Sequence, residues 1–233
     1  MGEIVLLRHG ETEWSHDGRH TSVTDIELTA GGRSEAASVA PLLRHWRFVA
    51  VWSSPRKRAL DTAHLAGLNT DDIRVDLAEW AYGDAEGKTR GQVSETEPSW
   101  NLWTSGGIGP GGETPDQVAA RADRLIFDAE PLLAEGDVAF VSHSHFLRVL
   151  AARWLGGEPQ FGAHLQLGTG SVSALGYEHG IHAITLWDLT PRLLGVAPAR
   201  PEDEKRAEED ENGEPHNADA PDWGGDSSFA GEV

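Results

Sequence analysis

The sequence predicts an α/β protein, a three-layer α/β/α sandwich with a mostly parallel, mixed central sheet. Three short apolar runs have the length of buried strands, and helical patterns alternate with them along the chain. Each run ends in polar residues of the kind that bind ligands beyond the carboxyl ends of parallel strands. The three runs are Ile4–Leu7, Val49–Trp52 and Val138–Val141.

The first strand candidate leads directly into Arg8, His9 and Gly10. The guanidinium of Arg8 carries a fixed fork of donors that suits a phosphate group. His9 can act as a nucleophile or a proton carrier near neutral pH, and Gly10 lets a ligand approach the backbone closely. These three residues alone are explained equally well by a strand that ends in a charged loop.

A helix is predicted next, from the capping residue Thr29 to about Trp46. Its apolar residues are mostly alanine and leucine, which suit a helix that packs against a sheet. Pro41 lies inside this helix and predicts a kink or a break, because proline removes a backbone donor and crowds the preceding turn.

The second strand candidate is followed by Ser54 and Pro55, a pair that favours a helix beginning at the proline with a serine cap. Such a helix would direct its free amides and the basic residues Arg56, Lys57 and Arg58 at one spot, and this arrangement favours an anion.

A carboxylate with aromatic neighbours follows, Glu79 beside Trp80 and Tyr82. After it, residues 84–117 are rich in Gly, Trp and Ser and are predicted to form a partly irregular insertion. Insertions of this length in compact domains are often substrate lids, and we expect that role here.

The last part of the chain predicts two helices and three strands. Thr114 and Gln117 have the spacing of a capping box and open the first of these helices. The third strand candidate ends in Ser142-His143-Ser144-His145, and a helix with apolar spacing follows it. A hairpin at 178–180 is predicted to join strands 171–177 and 181–189, and one strand of the sheet is expected to be antiparallel.

Composition excludes several classes of function. The 233 residues contain no cysteine, so disulfides, thiol nucleophiles and cysteine-based metal sites are absent. No stretch has transmembrane length and the N-terminus lacks the features of a signal peptide, so we expect a cytoplasmic protein without a membrane partner. The net charge of −19 disfavours nucleic acid as a partner. A homodimer is left open.

The acidic charge is concentrated near the C-terminus. Residues 201–233 contain 12 acidic and 2 basic residues, with scattered Gly, Pro and Ala. Such a segment cannot bury enough apolar surface to offset the entropy of ordering. We therefore predict a folded domain over residues 1–197 and a disordered acidic tail over 198–233.

Four motifs, taken together and in order, resemble the histidine phosphatase superfamily, which is also called phosphoglycerate mutase-like. They begin at Leu7, Ser53, Glu79 and Val141, and the resemblance covers residues 3 to about 190. Within the superfamily the chain looks most similar to acid phosphatases of the mycobacterial type that were once labelled phosphoglycerate mutases. The motifs are Leu-Arg-His-Gly-Glu-Thr, Ser-Ser-Pro-x-x-Arg-Ala-x-x-Thr-Ala, Glu-x-x-Tyr-Gly-x-x-Glu-Gly and Val-Ser-His-x-His-Phe.

The resemblance implies a phosphomonoester hydrolase that needs no metal or other cofactor. By that resemblance His9 is the nucleophile and forms a phosphohistidine, while Glu79 is the general acid and base. Arg8, Arg58 and His143 would bind the phosphoryl oxygens. Thr21, Ser22 and Ser144 are further candidates for substrate binding. Arg56 and Lys57 are interpreted as a solvated face or an entry field.

Several alternatives stay open at this point. His143 and His145 could be metal ligands, and Glu86 could replace Glu79 as the acid. His20 lies in a polar loop, where it is either simply exposed or part of the pocket wall. A phosphoglycerate mutase, a sugar bisphosphatase, and a catalytically silent interaction module with an acidic tail are the alternatives for the whole protein.

Overall fold

The computed structural model describes residues 1–190, which contain a six-stranded mixed sheet with the strand order β3-β2-β4-β1-β5-β6. Only β5 runs antiparallel to the other five strands, as its pairing with β1 and β6 shows. The predicted α/β architecture with a mostly parallel sheet is thus confirmed. The strands are β1 (Ile4–Arg8), β2 (Phe48–Ser53), β3 (Asp72–Ile73), β4 (Asp137–Ser142), β5 (Val172–Glu178) and β6 (Ile181–Leu189).

Eight α-helices and three short 3₁₀ helices accompany the sheet in the described residues. The α-helices are α1 (Glu13–His16), α2 (Ala30–Ser38), α3 (Ala40–Leu43), α4 (Lys57–Leu65), α5 (Arg90–Thr96), α6 (Leu102–Ser105), α7 (Pro115–Ala129) and α8 (Ser144–Trp154). The 3₁₀ helices are Val75–Leu77, Glu130–Ala134 and Pro159–His164.

Helices cover both faces of the sheet, and this explains why β1 is a continuous apolar run rather than an alternating one. Ile4 and Leu6 belong to a core that includes the buried side chains of α7 and α8. Val5 and Leu7 point the other way, into a second core that is shared with α2, α3 and α4. The two cores and the sheet between them form the predicted sandwich.

Three local predictions are confirmed. The helix expected from Thr29 breaks at Val39, where α2 ends and α3 begins with Pro41 in its first turn. Thr114 and Gln117 exchange the two hydrogen bonds of a capping box at the start of α7. The β5–β6 hairpin turns at 179–180, where both residues have a positive φ, of 51° and 80°.

The helix after β2 starts later than predicted. It begins at Lys57 rather than at Pro55, and its N-cap, Arg56, makes no side-chain capping hydrogen bond. The backbone of Arg56 is extended, with φ −74° and ψ 134°, so the helix cannot begin before Lys57. The hydroxyl of Ser54 accepts a hydrogen bond from the Arg56 amide and also contacts His143 at 2.7 Å, in the candidate site.

The insertion at 84–117 is more ordered than its composition suggests. It contains α5 and α6, and Val93, Trp100 and Leu102 are buried in the core that includes α7 and α8. Its role as a lid stays a prediction. In residues 1–190, no helix is both long enough and apolar enough to cross a membrane. The predicted acidic tail lies outside the described residues.

Candidate active site

The carboxyl ends of the central strands bring the first and last motifs together. In the register of the sheet, Arg8 at the end of β1 is paired with Ser142 at the end of β4. The amide of His9 donates to the Ser142 carbonyl at 3.0 Å, and the amide of Ser54 donates to the Val141 carbonyl at 2.9 Å. The imidazoles of His9 and His143 therefore lie side by side, with their centroids 5.1 Å apart.

His9 is held as a neutral imidazole with a free ε nitrogen. It is only 5% exposed, and burial together with the charges of Arg58 and Arg8 holds its pKa well below the usual histidine value. Its Nδ1 lies 2.7 Å from the Gly10 carbonyl oxygen, which can only accept a hydrogen bond. The proton of the neutral ring is therefore on Nδ1, and Nε2 keeps the lone pair that a nucleophile requires.

His143, in contrast, presents a hydrogen-bond donor to the site. Burial, followed by the charge of Arg58, lowers the pKa of His143 well below the usual value, so this ring is also neutral. Its Nε2 contacts the hydroxyl of Ser54, and that hydroxyl already accepts a hydrogen bond from the amide of Arg56. The Arg56 amide occupies one lone pair of this hydroxyl, and we assign the hydroxyl proton to a hydrogen bond with Nε2 of His143. The ring proton of His143 then sits on Nδ1, which is buried and has no protein partner.

Two arginines carry further donors without protein partners. The Nε atoms of Arg8 and Arg58 are buried and make no hydrogen bond. Other nitrogens of the two groups are anchored: Nη1 of Arg8 donates to the Leu167 carbonyl, and the completely buried Arg58 donates to the carbonyls of Thr21, Ser22 and Thr24. Burial lowers the pKa of both guanidinium groups, and the negative charge of Glu79 opposes this shift.

Together, Nε of Arg8, Nε of Arg58 and Nδ1 of His143 form an unfilled set of donors around His9. A buried donor left without a partner costs about 1–3 kcal/mol, so such groups are rarely left unused. An anion with several oxygens, such as a phosphoryl group, would satisfy all three at once.

The loop that holds Arg58 is itself positioned by a carboxylate. Glu86 accepts hydrogen bonds from the amides of Ser22 and Thr24 at 2.9–3.0 Å. The hydroxyl of Ser22 donates to the Glu79 carbonyl at 3.1 Å, so the donors of this buried residue are already used. Thr21 contributes a backbone carbonyl to Arg58, and its hydroxyl donates to Arg19. Both residues thus position Arg58 and Glu79, and Glu86 is committed to their loop.

Glu79 lies at the N-terminus of α8. Its carboxylate accepts hydrogen bonds from the amides of Trp80 and Phe146 through Oε1 and from the amide of His145 through Oε2, at 2.8–3.1 Å. The amides at a helix N-terminus are the usual partners of an anionic group. The carboxylate is 5% exposed and is fixed in one orientation beside the donor set.

His145 has a different partner from His143. Its Nδ1 lies 2.7 Å from the Tyr82 hydroxyl, which also interacts with Glu79. Burial and the charge of Arg148 hold the pKa of His145 well below the usual value, while burial raises that of Tyr82. Tyr82 and His145 are therefore both neutral, and the Tyr82 hydroxyl links His145 to Glu79. Within residues 1–190, no group of three or more His, Cys, Asp or Glu side chains could hold a metal ion.

Three predicted or discussed residues stand at the margin of the site. Ser144 is half-buried and begins α8, next to His143. Lys57 is exposed and pairs with Glu27, as expected for a solvated residue. Arg56 differs from expectation: it is half-buried, its Nε has no partner, and its charge contributes to the lowered pKa of His143.

Sequence reasoning missed the residues that set the state of the catalytic candidates. The hydroxyl of Ser54 contacts His143, the hydroxyl of Tyr82 contacts His145, and His20 packs against both Tyr82 and His145. Ser54 and Tyr82 lie within the quoted motifs, which is the signal that could have singled them out. His20 had only its place in a polar loop.

The comparisons with known proteins agree with this arrangement. Residues 4–190 match the model of the histidine phosphatase superfamily, branch 1. The chain is 43% identical over 196 residues to an acid phosphatase of Mycobacterium tuberculosis, covering 83% of this chain and 96% of that protein. It is 31% identical to a 2,3-bisphosphoglycerate-dependent phosphoglycerate mutase of Cytophaga hutchinsonii, covering 73% of this chain and 85% of the relative.

A solved structure of an open reading frame product from Mycobacterium tuberculosis is also similar. It superposes with a TM-score of 0.78 at 42% identity and covers 82% of this chain and 98% of the other. The similarity therefore extends over nearly the whole described part of the chain.

Proposed function

This chain belongs to the histidine phosphatase superfamily and is a phosphatase, and we propose that it hydrolyses phosphomonoesters through a phosphohistidine on His9. The observation that carries this proposal is the buried nucleophile surrounded by unpaired donors. Nε2 of His9 is unprotonated, and three donors of Arg8, Arg58 and His143 have no other partner.

In the first half-reaction, Nε2 of His9 attacks phosphorus and the bond from phosphorus to the ester oxygen breaks. The three equatorial oxygens of the transferring group carry the charge of the transition state, and the donors around His9 are placed to stabilise it. Glu79, after taking up a proton from solvent when substrate binds, passes it to the departing oxygen, so the leaving group departs as a neutral alcohol.

In the second half-reaction, water attacks the phosphorus of phosphohistidine. The carboxylate of Glu79 removes a proton from this water, the bond from phosphorus to Nε2 breaks, and inorganic phosphate is released. His9 and Glu79 then return to their starting protonation states. Glu79 is favoured over Glu86 for this role, because its amide partners hold it at the start of α8, next to His143, whereas Glu86 holds the loop at Ser22 and Thr24.

The small number of basic residues in the insertion favours hydrolysis over mutase activity. A mutase must hold an anionic phosphorylated acid while a phosphate is returned to it, and this requires a cationic clamp. Residues 84–117 contain only two basic residues, Lys88 and Arg90. Arg90 donates to the Trp100 carbonyl and lies over the Trp100 ring, so it already has partners.

The surroundings of Glu79 suggest the kind of alcohol that leaves. Tyr82, Trp100, Trp103 and the rings of His20 and His145 lie on this side of the site, and Arg148 lies over the Trp103 ring. A substrate with a larger or apolar leaving group fits such a wall better than a small anionic one. The silent interaction module has no structural support, because every group required for the phosphatase reaction is present.

The test is to trap the phosphoenzyme. We expect acid-labile, base-stable phosphate on the wild-type protein after a rapid quench with labelled phosphomonoester. His9→Ala should lose both this adduct and turnover, whereas His16→Ala, at an exposed position at the end of α1, should keep both. Turnover by His9→Ala, or an adduct that survives the substitution, would transfer the nucleophilic role to another residue.

A further inference from the structure

One residue near the end of β6 has an unusual backbone conformation. In residues 1–190, two non-glycine residues have a positive φ: His179, in the β5–β6 hairpin turn, and Asp188, with a φ of 53°. The register of the two strands changes at this point, because Ser173 alone lies opposite Trp187 and Asp188. This is a β-bulge, and its left-handed position usually carries glycine. Strain of this kind persists where the surroundings hold the residue in place, and it is frequent at functional sites.

The side chain of Asp188 holds the loop that precedes β5. Its Oδ1 accepts a hydrogen bond from the Gly168 amide at 2.7 Å, while its own amide donates to the Ser173 hydroxyl at 2.9 Å. The hydroxyl of Ser171 donates to the Gly168 carbonyl at 2.8 Å. The loop fixed in this way runs along the end of β1, where the amide of Arg8 donates to the Ser171 carbonyl at 3.1 Å.

The peptide group that Asp188 holds also binds Arg8. Nη1 of Arg8 donates to the carbonyl of Leu167, and this carbonyl belongs to the same peptide unit as the amide of Gly168. The groups therefore follow one another in the order carboxylate, peptide N–H, peptide C=O and guanidinium. Each charge polarises the peptide in the direction that strengthens the other hydrogen bond. The negative charge of Asp188 also opposes the fall in the pKa of Arg8 that burial causes.

The interposed peptide keeps donors of Arg8 available. A carboxylate in direct contact with a guanidinium often forms two parallel hydrogen bonds, which would use the donors that an oxyanion needs. Here the negative charge lies one peptide group away, and Nε of Arg8 has no protein partner. Because a guanidinium is planar and rigid, a fixed Nη1 restricts the direction of Nε as well. The contact through the peptide thus orients the donor that the phosphoryl group would meet.

We propose that Asp188 is a positioning residue, whose carboxylate orients the guanidinium of Arg8 for phosphoryl binding through the peptide group of Leu167 and Gly168. The inference rests on the proposed role of Arg8 in hydrolysis and extends it to the edge strand of the sheet. In this role Asp188 acts through Arg8 and not on the substrate, so its effect depends on the presence of Arg8.

Asp188→Gly removes the carboxylate and keeps the bulge, because glycine adopts a positive φ without strain. Its kcat/KM for p-nitrophenyl phosphate and its calorimetric affinity for inorganic phosphate should both fall by at least about tenfold, the contribution of a hydrogen bond to a charged group. Asp188→Asn keeps an oxygen acceptor without the charge and should recover part of the loss. It also carries the same tests, with a smaller expected loss, if Asp188→Gly does not fold.

Asp71→Asn is the matched control. It removes the same charge from a carboxylate that accepts a hydrogen bond from the Val51 amide at 2.8 Å. Because Val51 is on β2, two strands away from β1, both measured values should stay within about twofold of the wild type.

A comparison in the Arg8→Ala background separates positioning from a general structural effect. Asp188→Gly should then lower kcat/KM by no more than about twofold, because the side chain that Asp188 orients is absent. NMR of the guanidinium nitrogens gives a readout that needs no turnover. The wild type should show two separate Nη resonances for Arg8, assigned by their loss in Arg8→Ala, and Asp188→Gly should merge them through faster rotation about the Nε–Cζ bond.

The proposal would be overturned if Asp188→Gly matched the wild type in phosphate affinity and in the Arg8 resonances. An equal loss of kcat/KM with and without the Arg8 side chain would overturn it as well. If the wild type hydrolysed no phosphomonoester, the proposed function would fail, and the Arg8 resonances would still decide whether Asp188 fixes the guanidinium.

Discussion

At the scale of single residues, the site depends on which histidine nitrogen carries the proton. The carbonyl of Gly10 places it on Nδ1 of His9, and the hydroxyl of Ser54 places it on Nδ1 of His143. In the proposed reaction the same residue type thus serves as nucleophile in one position and as hydrogen-bond donor in the other. Both assignments require neutral rings, and burial beside two arginines provides them.

The pH dependence follows from these lowered pKa values. Because His9 must be neutral to attack, activity should persist below about pH 6.5, where an ordinary histidine becomes protonated. The buried histidines bind protons more weakly in the folded protein than in the unfolded chain. The free energy of unfolding should therefore fall as the pH drops below about 6.5. NMR titration of the ring nitrogens would check this, and titration of His9 at or above the model-peptide value would contradict it.

Glu79→Gln should separate proton transfer from positioning. The amide keeps the shape of the carboxylate but cannot donate the proton. Esters with poor leaving groups should lose about a hundredfold to ten-thousandfold in rate, whereas p-nitrophenyl phosphate, whose phenolate leaves readily, should be partly spared. The measurement is kcat/KM for both kinds of ester. A uniform loss would assign Glu79 a positioning role and return Glu86 to consideration as the acid.

The sequence could predict the types of site residue but not their states. His9, Arg8, Arg58 and His143 follow strand ends or stand in motifs, so their meeting is a consequence of parallel strand geometry. The proton positions depend on partners 1 and 89 residues away in the chain, which no local pattern reveals. For the same reason Ser22 was expected to bind substrate, although its donors are used within the protein.

At the scale of elements, short sequence patterns predict helix ends and turns correctly where these depend only on the geometry of neighbouring residues. The break near Pro41, the capping box at Thr114 and the hairpin at 179–180 all depend on a few adjacent residues. The start of α4 was misplaced because the backbone of Arg56 is extended, and the hydroxyl of Ser54 contacts His143 in the candidate site. Sequence-based boundaries fail in this way where an element ends in a functional site.

Gly10 illustrates how closely two elements meet at the site. We expected it to make room for a ligand, but a β-carbon there would overlap the carbonyl of Gly32 in α2. Gly10→Ala should therefore push β1 and α2 apart, lower the free energy of unfolding by about 1–3 kcal/mol and displace the carbonyl that orients His9.

Gly31→Ala is the matched control for Gly10→Ala, because Gly31 lies in α2 next to Gly32. A β-carbon at Gly31 meets only ordinary contacts of 3.6 Å with Glu11 and Thr29, so this variant should be neutral or more stable by up to about 1 kcal/mol. Denaturant unfolding and kcat/KM would be measured for both variants. A Gly10→Ala protein as stable and as active as the wild type would show that the helix yields without disturbing His9.

At the scale of the whole molecule, a strongly negative chain has to bind a negative substrate. The net charge is −19, yet the donors around His9 belong to buried arginines and neutral histidines. Short-range attraction in the site is thus opposed by long-range repulsion from the rest of the chain, and only the second of these is strongly screened by salt.

Ending the chain at Arg200 should show how far this long-range repulsion lowers kcat/KM. The truncation removes 12 acidic and 2 basic residues, which reduces the net charge from −19 to −9. Because none of the proposed catalytic groups lies beyond residue 190, kcat should stay within about twofold of the full chain.

At low ionic strength kcat/KM of the truncated protein should rise, since the dianionic substrate meets less repulsion, and the difference from the full chain should vanish as salt shortens the Debye length to about 8 Å. A full-length variant with ten of its twelve acidic residues beyond 200 changed to Gln and Asn has the same net charge of −9 and should match the truncated protein, because the effect depends on charge and not on length. If the truncated domain stayed folded but lost its activity, the C-terminal segment would be part of the site, and the predicted boundary at 197 would be wrong.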